Sequence, residues 1–167
     1  MRYFIGLGAN VGDRLTNLRE AVRHLEALGT VTARSRVYAS AAVGGPPQAS
    51  YLNAAVVLEC ALEPLELLAK TQEIEVAVGR DRSSEVRWGP RTLDVDLLLC
   101  GARGERIVDE PTLCVPHPRL KDRGFALAPL LDVEPTLMHP ELSRPLRALL
   151  SAALASGQAW APTGDAL

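Results

Sequence analysis

The chain has 167 residues, of which 47% are hydrophobic and 23% are charged, so it is long enough for one domain with a substantial core. Its net charge of −2 argues against a protein that binds nucleic acids or anionic membranes through overall positive charge. No apolar run approaches the roughly 20 residues that span a bilayer, and the first residues lack a signal-peptide pattern. We therefore expect a cytoplasmic protein with a single domain over residues 1–167.

The first part of the chain predicts a strand, a helix and a second strand. Residues 2–8 are an apolar strand that runs into a glycine-rich turn, and the apolar spacing of residues 15–28 predicts a helix that ends at Gly29. Residues 31–38 alternate between two kinds of side chain, as in a strand with one polar face. Residues 40–50 are rich in Ala, Gly and Pro, which predicts a mobile loop.

The middle of the chain repeats this order. Residues 52–62 predict a strand, and a helix follows from Pro64, which suits a first helical turn, to Gly79. Residues 80–90 form a charged loop, and the next strand runs to Cys100.

Beyond residue 100, prolines divide the chain into short pieces. Residues 107–108 predict a short edge strand, and residues 144–154 predict a final amphipathic helix. Residues 155–167 have the composition of a loose tail.

The order of these elements predicts the fold class. A β-α-β-β-α-β succession followed by C-terminal additions matches the ferredoxin-like plan. We therefore predict an α+β fold with a mainly antiparallel sheet and with helices packed on one of its faces.

The cysteines and histidines give no sign of a zinc site or of disulfides. Three cysteines are far apart and form no C-x-x-C, which favours reduced, mostly buried thiols. The three histidines have no ligand spacing with them or with one another.

An aspartate pair is the strongest chemical signal in the chain. Asp94 and Asp96 are two residues apart at the start of an apolar strand, so both carboxylates project to the same face. Like charges held side by side repel one another unless a cation or a proton lies between them. Mg²⁺ suits paired carboxylates and leaves coordination positions for substrate phosphates. A solvated pair on an edge strand is the alternative, which the apolar run at residues 97–99 disfavours.

Positive charge is concentrated just before this pair. Four of the twelve residues 80–91 are arginines, and such a loop could close over a polyphosphate or could simply be solvated. On the preceding helix, Gln72 and Glu75 are three residues apart and should face the same way. They could contact a nucleotide or lie on a solvated surface.

Aromatic residues make up only 4% of the chain, so aromatics that converge on one site would be notable. Tyr51 and Asn53 share one side of a strand, and Phe125 lies in a segment with Arg123. His117 stands between two prolines and precedes a basic run. Each of these residues alone is more often structural than functional.

Taken together, these segments resemble the 6-hydroxymethyl-7,8-dihydropterin pyrophosphokinase family (HPPK). The resemblance covers nearly the full chain and rests on GLGAN at residues 6–10, YLNAA at 51–55, WGPRTLDVD at 88–96, VPHP at 115–118 and RGF at 123–125. The family usually has Thr-Pro-Pro or a similar triplet where this chain has Ser-Ala-Ala at residues 40–42.

The resemblance implies an enzyme of folate biosynthesis that transfers diphosphate from ATP to the hydroxymethyl group of the pterin and releases AMP. It implies two Mg²⁺ ions, with ATP as co-substrate, and a monomer without nucleic-acid or membrane partners. The implied catalytic residues are Arg80, Arg91, Asp94 and Asp96, of which the two aspartates are also the metal ligands. The implied ATP-binding residues are Gln72, Glu75, Arg82, Trp88, His117 and Arg123. The implied pterin-binding residues are Ser40, Val43, Tyr51, Asn53, Trp88 and Phe125.

A second hypothesis is a non-catalytic ferredoxin-like module that binds a small molecule. Such a module would not need an aspartate pair, an arginine-rich loop and an aromatic platform together. A nucleic-acid binder is disfavoured by the acidic net charge and the lack of a basic stripe.

Overall fold

A computed structural model of the chain describes residues 1–81 and 89–167. The strands are β1 (Arg2–Ala9), β2 (Thr30–Arg34), β3 (Arg36–Ser40), β4 (Tyr51–Glu59), β5 (Asp94–Cys100), β6 (Val108–Glu110), β7 (Leu113–Val115), β8 (Met138–His139), β9 (Arg144–Pro145) and β10 (Trp160–Ala166). The helices are α1 (Arg14–Glu26), α2 (Pro64–Ala77), a 3-10 helix (Leu120–Asp122), α3 (Gly124–Val133) and α4 (Leu146–Ala155).

One antiparallel sheet organises the fold, in the strand order β10-β3-β4-β1-β5, and β2 also pairs with β4. The segment predicted as one strand over residues 31–38 is two strands, which Ser35 separates. The Ser35 N–H donates to the Ala55 carbonyl over 2.9 Å, and the Ala55 N–H donates to the Ser35 Oγ over 2.8 Å. The serine therefore carries the chain from β2 to β3 while both strands remain on β4.

The sheet is covered on both faces, and each face has its own core. Alternate side chains of β1 and β4 join α1 and α2 in one core, and those of opposite parity join α3 and α4 in the other. The mixed α and β architecture with an antiparallel sheet is as predicted. The prediction that helices cover one face is wrong, because the C-terminal additions supply helices for the second face.

Local sequence signals explain where the first two helices begin. The Asp13 carboxylate accepts a hydrogen bond from the Thr16 N–H at the start of α1. At the start of α2, the Glu66 carboxylate accepts from the Glu63 N–H over 2.8 Å, and Pro64 occupies the first turn.

The last residues of the chain are more ordered than predicted. Residues 160–166, expected as part of a loose tail, form β10, and Trp160 pairs with Ser40 on β3. Residues 108–110 form the predicted short strand, which pairs with β7 in a separate small sheet. Within the described ranges, no helix is both long and apolar enough to cross a membrane.

Candidate active site

A cavity of about 370 Å³ opens at the end of the sheet where β1, β4 and β5 meet the start of α3. Gly8 pairs with Asp94 on β5 and with Asn53 on β4, so it lies between a carboxylate and an amide that both line the cavity. A Cβ atom at Gly8 would lie 3.7 Å from the Asn53 Oδ1 and 3.9 Å from the Asp94 Cβ. The glycine therefore leaves the floor of the cavity open.

The aspartate pair projects into this cavity, as its spacing predicts. Asp94 and Asp96 alternate along β5 with Val95 and Leu97, whose side chains belong to the core beneath α1 and α2. Both carboxylates thus face the other side of the sheet, where α3 begins.

Two arginines converge on one oxygen of Asp94. Arg80 Nη1 lies 2.9 Å and Arg91 Nη1 lies 2.8 Å from the Asp94 Oδ1. The exposed fraction of the Arg80 side chain is 4%, whereas that of Arg91 is 28%. Arg80 is therefore fixed in the protein, and Arg91 presents part of its guanidinium to the cavity.

Glu75 forms a buried ion pair with Arg80. Its Oε1 lies 2.6 Å from Arg80 Nη1 and accepts a hydrogen bond from the Val95 N–H over 2.9 Å. Glu75 is buried and Gln72 is exposed, and neither is among the residues that line the cavity. The structure thus separates the pair that the helical spacing placed together, because only Glu75 faces β5.

Asp96 has a different partner and an altered acidity. Arg123 Nη1 lies 2.9 Å from the Asp96 Oδ2. Burial raises the pKa of the Asp96 carboxyl, the neighbouring charge of Asp94 raises it further, and Arg123 opposes the shift. Two half-buried carboxylates at close range make added positive charge favourable at this point.

Asn10 ties Arg91 to the loop at residues 41–50. The Arg91 N–H donates to the Asn10 Oδ1 over 2.7 Å, and the Asn10 N–H donates to the Arg91 carbonyl over 3.0 Å. The Asn10 Nδ2 donates to the Gln48 Oε1 and the Ala49 carbonyl. The backbone of Arg91 is therefore held by the end of β1, independently of its guanidinium.

The other end of the cavity is lined by aromatic and apolar groups. Tyr51, Asn53, Val43 and Phe125 all line it, which brings together side chains that are far apart in the sequence. The Asn53 Nδ2 donates to the Ser40 Oγ over 2.9 Å, so Ser40 orients the amide. The guanidinium of Arg123 lies 5.7 Å from the centre of the Phe125 ring.

His117 lies beside the cavity rather than in its lining. The backbone N–H of His117 donates to the Leu98 carbonyl. The Nδ1 of its ring accepts a hydrogen bond from the backbone N–H of Arg119 over 3.1 Å. Burial lowers the pKa of His117 to about 4, and the positive charges of Arg123 and Arg119 act in the same direction. The imidazole is therefore neutral at neutral pH.

Sequence reasoning missed several residues of the lining. These are Gln48, Arg119, Asp122 and Gln158. The basic run after His117 was a pattern that pointed to Arg119. No pattern pointed to Gln158, because it lies in the segment predicted as a loose tail. Arg82 and Trp88, two predicted site residues, lie outside the described residues. In residues 1–81 and 89–167, no group of three or more His, Cys, Asp or Glu residues could hold a metal ion.

In a comparison with protein families, the chain matches a family described as 7,8-dihydro-6-hydroxymethylpterin-pyrophosphokinase (HPPK) over residues 4–135. Among curated proteins, the chain is similar to the 2-amino-4-hydroxy-6-hydroxymethyldihydropteridine pyrophosphokinase of Bacillus subtilis, with 48% identity over 132 residues, or 78% of this chain and 76% of the relative. A protein of the same name from Aquifex aeolicus is 38% identical over 144 residues, or 86% of this chain and 87% of the relative.

Solved structures with a similar fold include HPPK-DHPS proteins. A wild-type Plasmodium falciparum HPPK-DHPS with STZ-DHP has a TM-score of 0.70 and 14% identity and covers 92% of this chain. An HPPK-DHPS in complex with substrates has a TM-score of 0.69 and 13% identity and covers 93% of this chain. This chain spans 43% of each of those longer chains, so the likeness concerns the fold of one part of them.

Proposed function

The chain belongs to the 7,8-dihydro-6-hydroxymethylpterin-pyrophosphokinase (HPPK) family, and from this premise we propose that the cavity is the active site of an ATP-dependent diphosphotransferase. The enzyme acts in folate biosynthesis and transfers diphosphate from ATP to the hydroxymethyl group of 6-hydroxymethyl-7,8-dihydropterin, with release of AMP. The observation that carries this proposal is the polarity of the cavity, which has paired carboxylates and arginines at one end and aromatic side chains at the other.

The reaction needs no nucleophile from the protein. The hydroxyl oxygen of the pterin attacks the β-phosphorus of ATP, the bond from that phosphorus to the oxygen of AMP breaks, and the hydroxyl proton passes to water. Catalysis of this kind depends on positioning and on neutralisation of phosphate charge. Arg80 and Arg91 supply that charge, the first from a buried position and the second from the edge of the cavity.

The carboxylates of Asp94 and Asp96 fit Mg²⁺ by their chemistry. Two hard oxygen donors share one face of β5, and burial together with the neighbouring charge of Asp94 raises the pKa of the Asp96 carboxyl, as expected where a cation is favoured. We assign two Mg²⁺ ions to this pair, and the two carboxylates would hold them. Ions held there would supply positive charge to offset the charge of the phosphates during transfer.

The pterin is assigned to the apolar end of the cavity. Tyr51 and Phe125 provide aromatic faces for a flat bicyclic ring, and Asn53 provides an amide for its hydrogen-bonding edge. Ser40 lines the cavity and also orients the Asn53 amide, because its hydroxyl accepts a hydrogen bond from that amide and keeps its own donor for a ligand. Val43 and Trp88 complete the predicted pterin contacts.

The remaining predicted ATP contacts differ in the support they receive. Arg123 is well placed, since it lines the cavity and pairs with Asp96. Glu75 is better described as the residue that positions Arg80. Contacts of ATP with Gln72, Arg82, Trp88 and His117 remain predictions.

We also infer a ferredoxin-like plan for the core of the fold. Taking β2 and β3 as one bent strand, the order along the sheet is that of four strands with β1 and β4 at the centre. Two helices on one face, α1 and α2, connect them in the split βαβ manner. A cytoplasmic protein without nucleic-acid or membrane partners remains part of the proposal and rests on the composition and charge of the chain, and the monomer rests on the family resemblance.

The products decide the mechanism. The purified chain is incubated with ATP, Mg²⁺ and the hydroxymethyl dihydropterin, and the nucleotides are separated by chromatography. We expect AMP in amounts equal to the pterin diphosphate formed. Formation of ADP would mean transfer of the γ-phosphate alone and would overturn the proposal, and binding of both ligands without any product would favour the non-catalytic module.

A further inference from the structure

The segment at residues 158–166, here called the C-terminal segment, contacts both walls of the apolar end of the cavity. Along one wall, β10 pairs with β3, where Trp160 is opposite Ser40. At the other wall, Gln158 contacts the residues on either side of Arg123. The C-terminal segment therefore connects the strand that orients Asn53 with the helix that carries Phe125.

Gln158 uses both ends of its amide to fix the start of α3. Its Oε1 accepts a hydrogen bond from the Gly124 N–H over 2.9 Å, and its Nε2 donates to the Asp122 carbonyl over 2.9 Å. Its own N–H donates to the Ala153 carbonyl at the end of α4. Gln158 also lines the cavity, so these bonds are made at the wall of the site.

Trp160 packs against the same turn so closely that only glycine fits. A Cβ atom at Gly124 would lie 2.1 Å from the Trp160 Cζ3 and 2.6 Å from its Cη2. The ring of Trp160 thus rests on the backbone immediately before Phe125, and its strand is held at Ser40.

We propose that Gln158 and Trp160 are positioning residues for the pterin, an inference that rests on the proposed function. They set the separation between the wall of Tyr51 and Asn53 and the wall of Phe125. A flat ring between two faces is sensitive to their spacing, because a misplacement of about 1 Å can weaken both stacking and alignment. The bonds of both residues are made to backbone atoms of the walls, and the guanidinium of Arg123 is held separately by Asp96, so the nucleotide should be affected less.

The test compares three substitutions with two controls. The variants are Gln158→Ala, Gln158→Glu and Trp160→Ala, and the controls are Arg19→Ala and Thr163→Ala. The control residues make hydrogen bonds in the far part of the same segment: Arg19 donates to the Ala166 carbonyl, and Thr163, within the segment, donates to the Val37 carbonyl on β3. KM for the pterin, KM for ATP and kcat are measured through AMP formation, and melting temperatures identify variants that do not fold.

We expect Gln158→Ala to raise KM for the pterin roughly tenfold, in keeping with the loss of two hydrogen bonds, and to change KM for ATP and kcat less than threefold. Gln158→Glu keeps the acceptor for Gly124 but places a carboxylate oxygen against the Asp122 carbonyl, so it should raise KM for the pterin at least as much as Gln158→Ala does. Should Trp160→Ala fail to fold, the two Gln158 variants still decide the question. The controls should match the wild type.

An unchanged KM for the pterin in folded Gln158→Ala would overturn the inference. Equal rises in both KM values would do so too, because they would indicate general loosening rather than positioning of one substrate. The proposed function is tested separately by AMP formation in the wild type, and the inference by the ratio of each variant to the wild type.

Discussion

At the charged end of the cavity, ionic side chains hold one another, whereas at the apolar end the backbone and packing set the geometry. Asp94 Oδ1 receives two guanidinium groups within 3 Å, but Asn53 and Phe125 are placed by the strand and the helix that carry them. Ion pairs can exchange partners when phosphates arrive, and a packed wall cannot. The difference predicts that substitutions at the charged end lower turnover, while those at the apolar end change the apparent affinity for one substrate.

The largest effect should come from removing the aspartate pair. We expect the Asp94→Ala, Asp96→Ala double variant to lose Mg²⁺-dependent ATP binding and at least about a thousandfold in turnover, since both proposed metal ligands are gone. Calorimetry with ATP and Mg²⁺ measures the binding, and the rate of AMP formation measures the turnover. Asp165→Asn, on the exposed face of β10, is the matched control. Unchanged ATP binding in the double variant would remove the two-metal assignment.

Arg91→Ala should have the next largest effect. The backbone of Arg91 keeps its two bonds to Asn10, so the substitution removes charge with little change in the fold. We expect kcat to fall roughly a hundredfold, while the dissociation constant of ATP changes much less, because the guanidinium stabilises charge that develops during transfer. Single-turnover rates and calorimetry separate the two quantities. An equal loss in both would assign Arg91 to simple binding.

At the apolar end, Phe125→Ala should raise KM for the pterin roughly tenfold by removing one stacking face. Phe125→Leu retains bulk without the aromatic face and should recover only part of the affinity. Steady-state kinetics with each substrate varied in turn provide the measurement. A fall in kcat as large as that of Arg91→Ala would contradict the contrast between the two ends.

The smallest effect concerns the pH dependence of stability at His117, which lies beside the cavity. The pKa of His117 is lowered to about 4 in the folded protein, so its contribution is present above its ordinary pKa near 6.5 and is lost as the pH falls towards 4. Between pH 7 and pH 5, the free energy of unfolding of the native protein should fall by about 1 kcal/mol more than that of His117→Asn. This value is reduced from the full linkage effect because His117 is partly exposed. Urea unfolding at both pH values measures this. Parallel losses in the two proteins would show that His117 is not the group responsible.

Local patterns in the sequence predicted the orientation of the aspartate pair. The alternation of side chains along a strand placed Asp94 and Asp96 on one face, and the structure places both in the cavity. Helix starts at Asp13 and Pro64 also depend on neighbouring residues alone. Features of this kind are accessible because they follow from the geometry of a single element.

Features that depend on distant parts of the chain were missed or misjudged. The burial of Glu75 results from the packing of α2 against β5, which helical spacing cannot reveal. Residues 160–166 have no strong apolar alternation, yet they form β10 because β3 offers a free sheet edge. For the same reason, nothing near Gln158 in the sequence indicated that its amide reaches the start of α3.

The position of β10 at one edge of the sheet has a consequence for self-association. An exposed sheet edge is a template on which another chain can add a strand, and proteins protect such edges with prolines, irregular pairing and charge. Pro162 in β10 has no N–H to offer, the pairing is irregular between Pro162 and Ala166, and Asp165 adds charge. A chain shortened before β10 would instead expose β3, whose regular edge would favour aggregation during folding and storage.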